Sequence, residues 1–234
     1  MACILALDTS SEACSAAVIK DGKITSVYAL VPRDHTRKII PMIQQVLEES
    51  ETETHQLDAI AFGRGPGSFT GLRIAAGVTQ GLAYGLDIEV IPVSTLEAMA
   101  LEVSGSSLPS SSGKCSHVVT AIDARMDEVY WGAFEVKDGQ VSALQAEQVC
   151  KPETVNLPES QTFSGVGTGW GFLSRMPDAV QNSVTVTDAT LLAKAEYIAR
   201  IAESKYSEND LVPADQAIPV YLRDTVTWKK LPGR

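Results

Sequence analysis

The sequence is poor in the residues that build disulfides and metal sites. It has four cysteines, and no two of them form a CxxC pair. They are Cys3, Cys14, Cys115 and Cys150. Three of them lie in apolar or strand-like runs, so we expect buried free thiols rather than disulfides or metal ligands.

Recognisable catalytic motifs are also missing. The three histidines, His35, His55 and His117, include no HxxxH or HExxH pair, so the sequence gives metal catalysis little support. No Ser-His-Asp or Cys-His arrangement can be assigned. Ser68 stands in Gly-Pro-Gly-Ser-Phe rather than in the GxSxG turn of a nucleophilic serine, so we expect it to cap a helix. A peptidase activity is therefore not expected.

Long apolar runs and an excess of positive charge are absent too. No run is long enough to cross a membrane, and no basic region precedes an apolar segment at the N-terminus. We therefore expect a cytosolic protein. The 234 residues carry a formal net charge of −10, which argues against broad nucleic-acid binding by this chain alone, since neutralising phosphates needs clustered Lys and Arg. The locally basic tail contains Arg223, Lys229, Lys230 and Arg234; a docking role and a mobile terminus both remain open for it.

What the sequence has instead is a glycine-rich stretch at residues 62–85, FGRGPGSFTGLRIAAGVTQGLAYG. It predicts a Gly/Pro turn followed by a helix on which Gly77, Gly81 and Gly85 share one face. Because a glycine costs an exposed helix about 1 kcal/mol relative to alanine, three on one face indicate that another element packs closely there. That element is either the chain's own sheet or a helix of a partner. The turn matches neither GxxxxGK[ST] nor GxGxxG, so an anion site there has weak support.

A second helix is predicted at residues 35–50, with Asp34 as its N-cap. Its apolar face contains Ile39, Ile43, Val46 and Leu47. Ile40 and Met42 lie off that face, so this helix is more apolar than one that buries a single face. Pro41 is expected to kink or delay it.

Two parts of the sequence repeat the same order of features. An apolar run ends at Asp8, and another ends at Asp123. Each is followed by a turn, a strand, an Asp-Gly hairpin turn and a further strand. Each part later has a glycine-rich turn, at residues 63–71 and 165–171. This order predicts a duplicated α/β fold.

The predicted boundary between the two halves lies in the Ser- and Gly-rich segment at residues 104–116, which has no apolar period. We therefore expect an N-terminal subdomain at residues 1–104 and a C-terminal subdomain at residues 105–234.

The two Asp-ended halves resemble the actin, Hsp70 and sugar-kinase (ASKHA) superfamily. Five segments, in this order, resemble the bacterial TsaB (YeaZ-type) family in its gammaproteobacterial form: DTSSEACSAAVIKDG, GRGPGSFTGLRIAAGVTQGLA, VSTLEAMA, AIDARMDEVYW and PVYLRDTVTWKKLPG. The resemblance spans nearly the whole chain. It implies a duplicated ASKHA-like α/β fold with two subdomains, each a mixed sheet flanked by helices.

The resemblance also implies a function. The chain would be a non-catalytic scaffold or activating subunit for tRNA N6-threonylcarbamoyladenosine modification, a degenerate paralogue of the catalytic subunit TsaD that lacks the metal-binding histidines. It would dock TsaD through the N-terminal subdomain, and the ATPase TsaE would join the pair. Alone it would form a homodimer; it would meet tRNA only through the complex and would not bind membranes. It would hold no cofactor, since the complex uses ATP and a metal in TsaD.

The docking surface implied by the resemblance is formed by the helices at residues 35–50 and 68–84. The candidate interface residues are His35, Ile39, Ile43, Leu47, Leu72, Arg73, Ala76, Gly77, Gln80 and Gly81. An apolar patch at the junction of the two helices is expected at its centre.

The alternative is an active small-molecule kinase or ATPase of the same superfamily. Its nucleotide cleft would contain Asp8, Asp123 and Gly167, and the two aspartates could hold Mg²⁺ through water. The superfamily's first turn reads Asp-x-Gly-Thr/Ser, however, and neither turn that follows these aspartates contains a glycine. Strand-end carboxylates bonded to turn amides are the other interpretation.

Overall fold

Two mixed five-stranded sheets form the frame of the molecule. The computed structural model describes residues 2–106, 116–159 and 161–223. The first sheet has the strand order β3-β2-β1-β4-β5. Its strands are β1 (Ile4–Asp8), β2 (Ala13–Lys20), β3 (Lys23–Leu30), β4 (Ala59–Gly65) and β5 (Glu89–Ser94).

The second sheet repeats this topology, with the order β10-β9-β6-β7-β8. Its strands are β6 (Ser116–Asp123), β7 (Val129–Lys137), β8 (Gln140–Cys150), β9 (Phe163–Val166) and β10 (Val184–Asp188). In each sheet the Asp-ended strand pairs antiparallel with the next strand and parallel with a later one, so β1 joins β2 and β4 while β6 joins β7 and β9. The predicted duplication is confirmed.

Five α-helices pack on these sheets within the described residues. They are α1 (His35–Glu49), α2 (Phe69–Leu86), α3 (Thr95–Ser106), α4 (Asp178–Ser183) and α5 (Ala195–Ser207). Alternate residues of β1 face opposite sides of the sheet. Leu5 and Leu7 therefore pack with α1 and α2, whereas Ile4 and Ala6 pack with α5.

One helix of each half packs on the sheet of the other half. The apolar face of α3, which follows the first sheet in sequence, packs on the second sheet, where Leu96 and Met99 meet Val118 and Phe134. In return α5, which follows the second sheet, covers the first. The division at residue 104 stays a prediction, and residues 107–115 of the predicted boundary lie outside the described residues.

Serine side chains define two helix starts. Ser68 Oγ accepts a hydrogen bond from the Gly71 amide at 3.3 Å. Ser94 Oγ accepts from the amides of Leu96 and Glu97 at 3.1 and 3.3 Å. Both serines satisfy amides that have no partner inside the helix, and the cap predicted at Ser68 is confirmed.

The N-terminus of α1 lacks the side-chain cap that the sequence predicts. Asp34 occupies the N-cap position, but its side chain makes no capping hydrogen bond. Its carboxylate lies 3.9 Å from Arg37 Nε instead. Pro41 lies inside α1, and since the helix begins at His35 the proline does not delay it.

The sequence predicts the last helix at about residues 190–205, but α5 begins at Ala195. The amide and hydroxyl of Thr190 both donate to Asp188 Oδ1 at 2.7 Å, so a local turn takes the place of the first helical turn. None of the helices in the described parts of the chain could span a bilayer. The cytosolic location stays a prediction.

Candidate functional site

The N-terminal end of α2 is locked against the turn that follows β1. The Ser68 amide donates to the Ser10 carbonyl at 2.7 Å, and Thr9 Oγ1 donates to the Gly71 carbonyl at 2.7 Å. A Cβ atom at Gly71 would lie 1.9 Å from the Thr9 carbonyl oxygen, and one at Gly67 would lie 2.5 Å from that of Ser10. These two glycines are therefore required by the chain's own packing, and the start of α2 fills the space beside the first turn.

The other glycines of α2 face outward. Apart from its chain neighbours and the backbone of its own helix, a Cβ atom at Gly77, Gly81 or Gly85 would meet no described atom within 4 Å, and all three residues are exposed. The buried side of α2 is formed by Gly71, Leu72, Ala75, Ala76, Thr79 and Ala83. The interpretation in which these three glycines press against the chain's own sheet is therefore wrong. We call Gly77, Gly81 and Gly85 the glycine row.

Large exposed side chains flank the glycine row. Phe69 is 56% exposed and Tyr84 is 85% exposed. Arg73 joins this group, because its guanidinium carbon lies 3.8 Å from the centre of the Phe69 ring and its Nε donates to Tyr221 Oη at 3.1 Å. Grouped exposed apolar side chains are typical of interaction surfaces, so the outward side of α2 is the strongest candidate docking face.

The predicted apolar patch at the centre of the interface is not at the surface. Ile39, Ile43, Leu72 and Ala76 are buried in the core between the first sheet and its two helices. Each helix turns its apolar side to the sheet, so these side chains offer no area to a partner. In the free chain these side chains belong to the core, and the docking role of the outward face stays a prediction.

The remaining predicted interface residues reach the surface to different degrees. Arg73, Gly77 and Gly81 are exposed, whereas His35, Leu47 and Gln80 are half-buried. His35 Nε2 lies 3.2 Å from the Ala13 carbonyl oxygen, to which it can donate, and Gln80 Nε2 donates to the Ala217 carbonyl at 3.2 Å. Both polar side chains therefore also hold the chain's own fold.

The apolar character of α1 is mostly explained by burial. Met42, which the periodicity assigns off the apolar face, is buried against the sheet, so that part of the prediction is wrong. Ile40 does remain exposed. The apolar stripe of α1 that faces the sheet is wide enough to include Met42, and side chains within such a stripe are buried.

Asp8 is enclosed by the chain. Its Oδ1 accepts hydrogen bonds from the Ser10 amide at 3.1 Å and the Ser10 hydroxyl at 2.9 Å. Its Oδ2 has no hydrogen-bond partner among the described residues, and a Cβ at Gly63 would lie 2.1 Å from it. Burial raises the pKa of the Asp8 carboxyl to about 6. The bonds to Ser10 fit the turn-bonded interpretation.

Asp123 is bonded in the same way. Its Oδ1 accepts from the Arg125 amide at 2.8 Å, and its own amide donates to Thr168 Oγ1 at 3.1 Å. Gly167 has a φ of +100°, and a Cβ there would lie 2.3 Å from the Ala121 carbonyl oxygen and 2.6 Å from Met99 Cε. Close packing on β6 and α3 thus accounts for this glycine.

Asp123 lies beside the turn of Gly167 through its bond to Thr168, whereas Asp8 is bonded to the turn after β1 in the first half. Across the described ranges, no group of three or more His, Cys, Asp and Glu side chains is arranged to hold a metal ion. The nucleotide role of Asp8, Asp123 and Gly167 stays an untested prediction.

A polar contact between the halves was not expected from the sequence. Arg64 Nη2 lies 3.3 Å from Glu147 Oε2, and Ser94 Oγ donates to the other carboxylate oxygen of Glu147. Burial, with the nearby Glu147 charge, raises the pKa of the Glu97 carboxyl. The sequence shows a positive charge, Arg64, at the glycine-rich turn, which could have indicated an ion pair there. Nothing in the sequence identifies Glu147 as its partner.

Comparison with known proteins identifies the family of this chain. The family model described as "TsaD: tRNA N6-adenosine threonylcarbamoyltransferase" matches residues 24–231. A Haemophilus influenzae protein described as "tRNA threonylcarbamoyladenosine biosynthesis protein TsaB" is 42% identical over 240 residues, which cover 99% of this chain and 98% of that protein. The Escherichia coli protein of the same description is 42% identical over 238 residues, 99% of each chain. The chain belongs to the TsaB family.

A solved structure supports the same conclusion. "YeaZ from Pseudomonas aeruginosa" superimposes with a TM-score of 0.86 and 42% identity, covering 95% of this chain and 100% of that one. With the TsaD family model, this confirms the duplicated ASKHA-like α/β fold. The motif GRGPGSFTGLR, on which the resemblance to the TsaB family rests, spans the end of β4 and the start of α2. The motif therefore forms the turn before α2 and the first part of the helix that carries the glycine row.

Proposed function

We propose that this TsaB-family chain is a non-catalytic scaffold subunit of tRNA N6-threonylcarbamoyladenosine modification, which docks the catalytic subunit TsaD through the outward side of α2. The relatives from Haemophilus influenzae and Escherichia coli are described as proteins of this biosynthesis. The observation that carries the proposal is the glycine row. A Cβ atom at any of its three positions would meet no described atom outside its own helix within 4 Å. Without side chains on the row, the backbone of a partner helix can approach closely.

The proposal assigns the chemistry to the other subunits. TsaD holds the metal and transfers the threonylcarbamoyl group, and the ATPase TsaE joins the pair. This chain binds no cofactor, meets tRNA only through the complex, and forms a homodimer through the same face when it is alone. The enclosure of Asp8 by its own turn and the filling of the space beside Gly167 support this assignment over the kinase or ATPase alternative.

A leucine at position 77 tests the docking face. Gly77→Leu adds a side chain to the outward face, where a Cβ atom would meet no described atom outside its own helix within 4 Å. We expect the variant to unfold at or slightly above the wild-type temperature, because leucine favours a helix more than glycine does. We expect it to lose co-elution with TsaD, with at least about tenfold weaker binding, because bulk at the centre of an interface removes close contacts. Affinity is measured by titration of TsaD, and folding by circular dichroism.

The matched control is Gly171→Leu. Gly171 is also exposed and open, but it lies in the second half, on the turn after Gly167. Its variant is expected to bind TsaD like the wild type. Ala76→Glu is unsuitable as a docking test, because Ala76 is buried and the change would place a carboxylate in the core. If Gly77→Leu binds TsaD with unchanged affinity, the proposed face is wrong.

Reconstituted transfer tests the function itself. TsaD and TsaE are given unmodified tRNA with and without this chain, and ATP hydrolysis by the chain alone is measured in parallel. Transfer is expected to require the chain and to be lost with Gly77→Leu, while the chain alone is inert. Undiminished transfer without the chain would contradict the scaffold role, and ATP turnover by the chain alone would favour the alternative.

A further inference from the structure

Residues 217–223 lie along α2 and form no helix or strand of their own. The Val220 amide donates to the Arg64 carbonyl at 2.8 Å, and the Ala217 carbonyl accepts from Gln80. The approach is close enough that a Cβ at Gly65, whose φ is +110°, would lie 3.0 Å from the Val220 carbonyl oxygen. The segment is therefore docked on the first half rather than loosely attached.

This segment displays apolar side chains beside those of α2. Ile218 is 61% exposed and Tyr221 is 41% exposed. The Tyr221 ring lies 5.4 Å from that of Phe69, centre to centre, and Tyr221 Oη accepts from Arg73. The exposed aromatic surface therefore continues from α2 onto the segment without a break.

The end of the segment is anchored on the second half. Arg223 Nε donates to Glu128 Oε2 at 2.9 Å, and its Nη2 donates to the Ala124 carbonyl at 3.1 Å. The accepting turn is unusual, because Arg125, Met126 and Asp127 have φ values of +60°, +57° and +59°. A guanidinium held by a carboxylate and a carbonyl is a strong, directional anchor. Arg223 thus ties the segment to the turn after β6.

We infer that residues 217–223 form a second wall of the docking face, that Arg223 is the residue that positions this wall, and that the occupant is TsaD. The inference rests on the proposed function. Its physical basis is continuity: Phe69 and Arg73 of α2 both contact Tyr221, so a helix that lies along the glycine row and over Phe69 meets Tyr221. Ile218 is the other large exposed apolar side chain of this segment, and its share in the wall is part of the inference. Docking on the first half then depends on an anchor in the second.

Two single variants and their combination test this inference. Ile218→Ser changes a mostly exposed side chain, and Arg223→Ala removes the anchor while leaving α2 intact. Each is expected to weaken TsaD binding about tenfold, mainly through faster dissociation. The double variant is expected to bind no more weakly than Arg223→Ala, because loss of the anchor already withdraws Ile218 from the face. This non-additivity separates positioning from a general loss of stability.

Arg175→Ala is the matched control. Arg175 is another arginine that pairs with the same turn, at 3.1 Å from Asp127, and also with Glu153 at 2.8 Å. Its side chain is 39% exposed, against 18% for Arg223. Both of these bonds lie within the second half, so its variant is expected to bind TsaD normally. Thermal transitions of all variants confirm that each one is folded.

The outcomes separate this inference from the proposed function. If Gly77→Leu abolishes docking while Ile218→Ser and Arg223→Ala bind like the wild type, the second wall is wrong and the proposed function stands. If the two single losses add in the double variant, the positioning role of Arg223 is wrong. If Gly77→Leu also binds normally, both the docking face and its second wall are rejected.

Discussion

The carboxyl group of Asp8 is buried between its own turn and Gly63 of β4. One of its oxygens accepts two hydrogen bonds from Ser10, and the other faces Gly63 without a hydrogen-bond partner in the described structure. Burial of the ionised form is unfavourable, which raises the pKa of this carboxyl to about 6. The same burial, with the Asp8 charge, raises the pKa of the Cys14 thiol to about 12, so this cysteine stays a neutral buried thiol as expected.

Asp8→Asn is expected to remove one component of the pH dependence of stability. Because the pKa is higher in the folded state than the usual value of 3.8, folding takes up a proton between these values and the free energy of unfolding rises as the pH falls through about 6. From about pH 7.5 to about pH 5 this contributes roughly 1 kcal/mol in the wild type. The asparagine has no such proton, and its oxygen can still accept from Ser10.

The measurement is urea unfolding of both proteins at several pH values. Other carboxyl groups titrate in both proteins, so the difference between the two curves isolates Asp8. Parallel curves would contradict a raised pKa at this position.

At the scale of the element, α2 has two kinds of glycine. Gly71 is needed where the helix start meets the turn after β1, whereas Gly77, Gly81 and Gly85 have open space outside them. A helix that keeps an exposed glycine loses about 1 kcal/mol of stability relative to alanine. The glycine row therefore costs stability in the free chain, which is consistent with selection for a partner rather than for folding.

The same substitution at two positions of α2 is expected to have opposite effects. Gly77→Ala should raise the free energy of unfolding by about 0.5–1 kcal/mol, because it improves helix propensity without a contact. Gly71→Ala should lower it by about 1–3 kcal/mol, since its Cβ would lie 1.9 Å from the Thr9 carbonyl oxygen. Chemical denaturation of the isolated protein measures both. A destabilising Gly77→Ala would mean that the row is packed in the free chain.

At the scale of the whole molecule, the two halves depend on each other through the exchanged helices. The side of the first sheet that contains Ile4 and Ala6 is covered by Ile198, Ala199 and neighbouring residues of α5. The second sheet depends in the same way on α3. Further contacts between Arg64 and Glu147 and between Arg223 and Glu128 cross from one half to the other.

The isolated fragment 1–104 is expected not to fold cooperatively, although it contains the whole first sheet. Without α5, one apolar face of that sheet is exposed to water, and each uncovered side chain of the size of Ile198 loses about 1.5–3 kcal/mol. Several such losses together are similar in size to the total free energy of unfolding of a typical protein, about 5–15 kcal/mol. Urea unfolding followed by circular dichroism tests this, and addition of fragment 105–234 should restore the transition. A cooperative transition of fragment 1–104 alone would establish it as an independent domain.

Local patterns were sufficient for most of the fold. The apolar runs that end at Asp8 and Asp123 are the first strands of the two sheets. Both Asp-Gly pairs form hairpin turns with positive φ at each residue, as at Asp21 and Gly22. Strand alternation, turn residues and helix caps act over a few residues, so they can be read from the sequence.

The candidate site was predictable in part. The sequence identifies the helix with the glycine row and its cap at Ser68, but it assigns buried residues such as Leu72 and Ala76 to the interface. Neighbouring residues of a helix are rotated by about 100° about its axis, so the buried Ala76 and the exposed Gly77 are consecutive in the sequence. Which of them is exposed depends on how the helix is rotated over its sheet, and short-range patterns do not decide that rotation closely enough.

The sequence alone determines the α/β class, the repeated order of strands and the family to which the chain belongs, because these depend on neighbouring residues and on motifs. The surroundings of each glycine, the enclosure of Asp8 and the anchor of Arg223 were decided only by the tertiary structure. Thr9 and Gly71, or Glu128 and Arg223, are far apart in the chain and meet only after folding. Contacts of this kind arise from the packing of whole elements, and no local pattern encodes which distant residue will supply the partner.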